Sequence, residues 1–163
     1  MKSVLISIQP KWCELIANGK KTIEVRKTQP RLNTPFKVYI YCTNWKDNTY
    51  WKNHYKDKLG KVIGEFVCDK IMLDIPRTLY ASHKLVVNSC IPPKELIDYV
   101  GEGNFLYFWH ISNLVIYDKP RDLGEFRKPI ECHRGKDREN CVGCWDCEIT
   151  RPPQSWCYVE KLV

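Results

Sequence analysis

Apolar positions along the chain repeat with two periods, and the change from one to the other marks out its elements. Residues 3 to 9 make a short apolar strand, and Pro10 suits the first position of a helix, where its missing N–H would be unpaired anyway. Trp12, Leu15 and Ile16 then recur at helical spacing as a core-facing side, and Asn18-Gly19 is a stop signal, glycine being free to take the left-handed conformation. From there the period falls to two. Lys21, Ile23 and Val25 fall on one face of a strand, and Thr22, Glu24 and Arg26 on the other. Phe36 to Thr43 alternates in the same way. Lys61 to Leu73 is expected as one long strand with Gly64 as a bulge, and Phe105 to Tyr117 as another. Between them, Asp74 to Ser89 reads as loop with a short helix, and Pro92-Pro93-Lys94-Glu95 opens a helix whose apolar side is Leu96, Ile97 and Val100.

Glu24 and Arg26 pointing the same way admit two readings. They are neighbours on a solvated strand face, a pairing worth at most about 1 kcal/mol, or they are a carboxylate and a guanidinium held on a rigid strand at the mouth of a cleft. The spacing Gly19, Lys21, Glu24, Arg26 matches G-x-K-x-x-E-x-R, and on these residues the chain resembles the ASCH domain family. Leu5 to Lys11, Glu14-Leu15-Ile16 and the Tyr107, Trp109, His110, Ile111 stretch are similar to that family's opening strand, helix and closing strand, so the likeness covers about residues 3 to 117. It implies an α+β fold, a PUA-like mixed β-barrel with short flanking helices, and a basic cleft used on RNA or nucleotides. Carried over by position, Lys21, Glu24 and Arg26 line the cleft, with Lys11 at its rim.

Charge points the same way. The formal charge is +7, and residues 1 to 61 hold thirteen Lys or Arg against four Asp or Glu, so the whole excess lies in the first third. A one-sided basic surface fits a polyanion. Lys27 and Arg31 add to it beside the signature strand. Six Trp, nine Tyr and five Phe exceed the needs of a core this size, and surplus rings serve as stacking platforms. Between Asn44 and Gly60, Trp45, Tyr50, Trp51, His54 and Tyr55 interleave with lysines, either as an insertion whose rings fold back onto the barrel or as a flap that stacks bases. His110 alternates with Trp109, so one of the two faces the core; His110 is either structural or a further nucleic-acid contact.

The 163 residues predict one domain over 1–128 and a Cys-rich tail over 129–163. The start is too short and interrupted for a signal-peptide core, and no run approaches about 18 apolar residues, so a soluble, cytoplasmic protein without membrane contact is expected. Nine cysteines then read as reduced thiols and metal ligands. Cys132, Cys141, Cys144 and Cys147 offer four thiolates for structural zinc, a metal able to replace a missing core. An iron–sulfur cluster and unmetallated cysteines are the alternatives, with His133 and Cys157 as substitute ligands. The final segment from Gln154 is expected to return a strand to the barrel edge.

Three functions remain open. The first is an RNA- or nucleotide-binding module that contacts its ligand through Lys11, Lys21, Glu24, Arg26, Lys27 and His110, the cations gripping phosphate and Glu24 accepting from a base or ribose. The second is an enzyme, a ribonuclease or a nucleoside amidohydrolase acting on acetylated cytidine, with Lys21 holding an oxyanion and Glu24 moving the proton. Family hydrolases of the second kind have Thr where this chain has Glu24. The third is an interaction module whose working surface is the metal-bound tail.

Overall fold

The protein is described here by a computed structural model that covers residues 2–44, 49–79, 83–101, 104–130 and 147–160. In chain order the elements are β1 (Lys2–Ile8), α1 (Pro10–Ala17), β2 (Ile23–Arg26), β3 (Phe36–Cys42), α2 (Thr49–His54), β4 (Lys61–Cys68), β5 (Ile71–Asp74), α3 (Lys84–Ser89), α4 (Pro93–Val100), β6 (Leu106–His110), β7 (Ser112–Arg121) and β8 (Trp156–Glu160). The strands form a five-stranded sheet in the order β7-β4-β3-β1-β8 and a three-stranded sheet in the order β2-β6-β5. This is a mixed α+β fold dominated by its sheets. The expected closed barrel is not found among the described residues, because no strand pairing joins the edges of either sheet.

The chain gathers into two units, one of Met1–Pro10, Lys37–Glu65 and Val115–Val163, the other of Lys11–Phe36 and Phe66–Leu114. In the first, β1 pairs in parallel with β3, Val4 opposite Val38 and Ile8 opposite Cys42, so a crossover must join them. Residues 10–35, with α1 and β2, are that crossover. From Ser3 onward β1 is buried at every position, which is why it reads as a continuous apolar run. Its other edge takes β8 antiparallel, Ser3 opposite Val159, so the chain's last segment does return a strand to the sheet edge. Leu5, Tyr39, Val62, Phe126, Ile149 and Val159 fill the core of this unit, with Tyr39 and Phe126 edge to face at 5.0 Å.

The second unit packs α3, α4 and the 3-10 turn Pro76–Thr78 against one face of β2-β6-β5. Ile23, Val25, Leu106 and Phe108 supply the sheet's side of that core, and Leu85, Val86 and Leu96 supply the helical side. Alternation then fixes what the opposite face carries. Glu24 lies across from Trp109 and Arg26 from Tyr107 in the β2-β6 ladder.

Both long strands of the sequence reading are broken. Asp69-Lys70 separates β4 from β5 and Ile111 separates β6 from β7, and at each break the chain leaves one sheet for the other. At Ile111 the run of strand-forming residues carries no mark of such a change of partner, while Asp69-Lys70 marks the other break with two poor strand formers. The aromatic insertion folds back: α2 buries Trp51, which meets buried Tyr55 edge to face at 5.4 Å, while Tyr50 stays exposed and stacks on His54.

Gly64 owes its place to a close approach. A Cβ there would stand 2.4 Å from the carbonyl oxygen of Val115 and 3.1 Å from Cα of Ile116, both backbone atoms. We expect Gly64→Ala to destabilise the protein by about 1–3 kcal/mol in urea unfolding. Gly124→Ala, with no atom within 4 Å, serves as the neutral control. Equal midpoints for the two variants would contradict this packing.

Candidate nucleic-acid interface

The site is built where α1 hands over to β2. The N–H of Gly19 donates to the carbonyl of Ile16 at 2.9 Å, and Gly19 takes φ +76°, the conformation glycine tolerates. The chain turns back on itself, and the N–H of Lys21 donates to the carbonyl of Leu15 at 2.9 Å. On its other side, the N–H of Thr22 donates to the carbonyl of Asn88 at the end of α3, and the thiol of Cys90 to that of Lys20. Lys20 to Thr22 are thereby clamped between two helix ends, and the Lys21 side chain is driven inward.

It is the least exposed charged residue described, at 1%, with Glu24 at 5% and Arg26 at 8%. Lys21 Nζ donates to the carbonyl of Ser89 at 2.8 Å, stands 3.3 Å from Glu24 Oε2, and lies 5.2 Å from the centre of the Trp12 ring. Arg26 Nη2 reaches Glu24 Oε1 at 2.9 Å. One carboxylate therefore serves two buried cations. Burial lowers the pKa of Lys21 below its ordinary 10.5, and the adjacent Glu24 carboxylate opposes that shift without cancelling it. The solvated-face reading of Glu24 and Arg26 does not describe this cluster.

Two more cations from the sequence reading sit on aromatic rings close by. Lys11 lies 4.3 Å from the centre of the Trp12 ring that also faces Lys21, and exposed Lys27 lies 4.7 Å from the centre of the Tyr99 ring. Tyr99 lies on α4, and burial raises the pKa of its phenol. An open hollow of about 310 Å³ at the end of β2 is lined by Lys27, Val100, Asn104, Phe105 and Tyr107.

His110 is placed elsewhere. In the β2-β6 ladder it lies across from Ile23, on the face opposite Glu24, and its Nδ1 meets Asp69 Oδ1 at 2.7 Å, an interaction that holds the Asp69 carboxyl below its usual range. Trp109, its alternating neighbour, is the fully buried one. Of the four expected zinc ligands, Cys132, Cys141 and Cys144 lie outside the described residues; Cys147 is buried, and its carbonyl accepts from the N–H of Lys128 at 2.8 Å. Among the described residues, no group of His, Cys, Asp and Glu side chains is close enough together to hold a metal. Nor does any helix among them have the length and apolarity to cross a membrane. Sequence reasoning missed Ser89, Tyr99 and Phe105, which reach the site from α3, α4 and the run entering β6 and carry no local motif; it placed Tyr107 in the closing strand without assigning it to the site.

These elements and their order are those of a known class. The sequence profile of the ASCH domain matches residues 6–99, more than half the chain, and the chain belongs to the ASCH domain family. Three solved structures share its fold, all of ASCH from Zymomonas mobilis. A serine-to-alanine mutant of that protein aligns with TM-score 0.65 and 19% identity over 98% of this chain and 89% of that one. A tyrosine-to-phenylalanine mutant gives 0.59 and 21% over 99% and 92%, and the unsubstituted protein 0.58 and 21% over 98% and 88%. A search of curated protein sequences gives no match.

Glu24→Gln would leave Lys21 and Arg26 buried without their shared anion. We expect a loss of about 3–5 kcal/mol in stability, read by chemical unfolding, and a further fall in the pKa of Lys21. In the wild type, the unfolded chain binds the Lys21 proton up to pH 10.5 while the folded chain releases it at lower pH. Stability conferred by this residue therefore rises with pH across that window. The difference in unfolding free energy between wild type and Lys21→Met should increase from neutral pH toward pH 10, tyrosine and cysteine ionisations being common to both proteins. A flat difference would show that Lys21 keeps its ordinary pKa, and a falling one that folding raises it.

Proposed function

We propose that the protein binds RNA or nucleotides through a basic surface mounted on the buried Lys21, Glu24 and Arg26 cluster. The observation that carries this reading is the pairing of cations with rings at the two ends of the α1–β2 segment: Lys11 over Trp12, and Lys27 over Tyr99. An ammonium over a ring offers a phosphate contact beside a stacking surface, the combination single nucleotides need. Lys21 and Glu24 are already engaged with each other and with Ser89, so their part is to hold β2 and the Arg26 guanidinium in place. ASCH domains are associated with RNA binding, which agrees with the charge of the first third of the chain.

A second reading has one observation in its favour. Burial shifts the pKa of Lys21 in the direction a lysine base requires, and a carboxylate stands beside it to exchange the proton. On that reading the protein hydrolyses RNA or a modified nucleoside such as acetylated cytidine, and Glu24→Gln loses turnover by more than its loss of folded protein accounts for.

We propose structural zinc at Cys132, Cys141, Cys144 and Cys147 for the Cys-rich segment, to which the burial of Cys147 is suited. Purified protein should carry about one zinc per chain by elemental analysis, and Cys141→Ser should lose it; metal-free wild-type protein would exclude the site.

Binding to RNA should weaken steeply with salt. Lys11→Ala and Lys27→Ala should each lower affinity across sequences and reduce the slope of log affinity against log salt by about one. Retention of RNA that neither salt nor these substitutions alter would exclude this surface.

A further inference from the structure

We propose that the hollow lined by Lys27, Val100, Asn104, Phe105 and Tyr107 is a subsite that stacks one unpaired base of a bound RNA, with Lys27 on the adjoining phosphate. The inference rests on the RNA-binding reading and locates within it where a base is held.

Phe105 and Tyr107 lie two residues apart on the run that enters β6, with buried Leu106 between them pointing into the core. Tyr107, inside the strand, therefore lies on the opposite face, and Phe105 just before it lines the same hollow. Phe105 is 50% exposed and Tyr99 is 42% exposed close by. Tyr107 is the cross-strand partner of Arg26, so the aromatic hollow and the Glu24–Arg26 ion pair occupy the same face of the three-stranded sheet at adjoining positions.

Position and chemistry together select the occupant. Among the described residues, the side chains around the hollow are two rings, a valine, an amide and one ammonium. An apolar peptide would bury the Lys27 ammonium without a partner, which is costly. A base carrying its phosphate matches both parts, its flat face against a ring and its anion against Lys27. Asn104 is fixed for such a role, its Nδ2 donating to the carbonyl of Val100 at 3.4 Å from the last turn of α4. The hollow is open rather than enclosed, so it suits a base splayed from a strand, and paired bases inside a duplex present no free face to it.

The test compares three proteins with two probes by fluorescence anisotropy. The proteins are the wild type, Phe105→Ala and Lys27→Ala; the probes are a short single-stranded RNA and an abasic ribose-phosphate oligomer of equal length and charge. The wild type should bind the RNA about five- to 150-fold more tightly than the abasic oligomer, the range one stacked base supplies. Phe105→Ala should remove most of that difference and leave abasic binding unchanged, its exposed ring making this substitution compatible with an intact fold, checked by melting. Lys27→Ala should weaken both probes equally. Equal wild-type affinity for the two probes, or RNA affinity unchanged in Phe105→Ala, overturns the subsite while leaving phosphate-led binding intact. Failure of the wild type to retain either probe at low salt overturns the subsite and the RNA-binding reading together.

Discussion

Everything near the signature strand depends on burying the ammonium of Lys21. A lysine removed from water must find its anion and its acceptors inside the protein, and here both come from fixed backbone positions: Glu24 three residues along, and the Ser89 carbonyl at the end of α3. Glu24 is in turn required by Arg26. The three charges thus tie α1, β2 and α3 into one arrangement, and removing Glu24 leaves both cations without compensation. Such a cluster contributes geometry more than net stability, since the cost of desolvating three ions consumes much of their mutual attraction.

That geometry is what the surface needs. With the turn that enters β2 clamped between two helix ends, the residues just outside the cluster stand on a fixed base: Lys11 at the start of α1, Lys27 directly after β2, and Tyr99 on α4 under the Lys27 ammonium. On the proposed reading, buried charge holds the frame and the charge outside it meets the ligand, the last residue of β2 and the one after it dividing the two tasks. Lys27 follows Arg26 directly in the chain, yet one is exposed and the other buried.

How far this could be read in the sequence follows from which contacts are local. Gly19 as a turn, and Glu24 and Arg26 on one face, are consequences of chain geometry over a few residues, and both are observed. The period-two rule placed Lys21 opposite Glu24, but β2 begins only at Ile23; Lys21 lies in the preceding turn, where alternation does not apply, and it reaches Glu24. Its burial was not legible, because Ser89 stands 68 residues away. For the same reason the broken strands escaped notice. Asp69-Lys70 is a pair of poor strand formers between two apolar runs, whereas Ile111 is an ordinary strand interior by composition, where only the partner strand decides that the ladder ends. Tyr99 and Phe105 do not stand out in a chain this rich in rings until the fold brings them to the end of β2. The likeness to ASCH proteins rests on residues adjacent in the chain, Gly19 to Arg26 foremost, and so is legible in the sequence.

The division between a buried frame and an exposed binding surface can be observed residue by residue in an NMR titration of labelled protein with a short single-stranded RNA, at low salt and again at high salt. The largest low-salt shifts should fall on Lys11, Trp12, Lys27 and Tyr99, high salt should suppress them, and the Lys21 ammonium should keep its contacts throughout. Shifts confined to other parts of the chain, or none at all, would refute a basic surface mounted on the buried ion cluster.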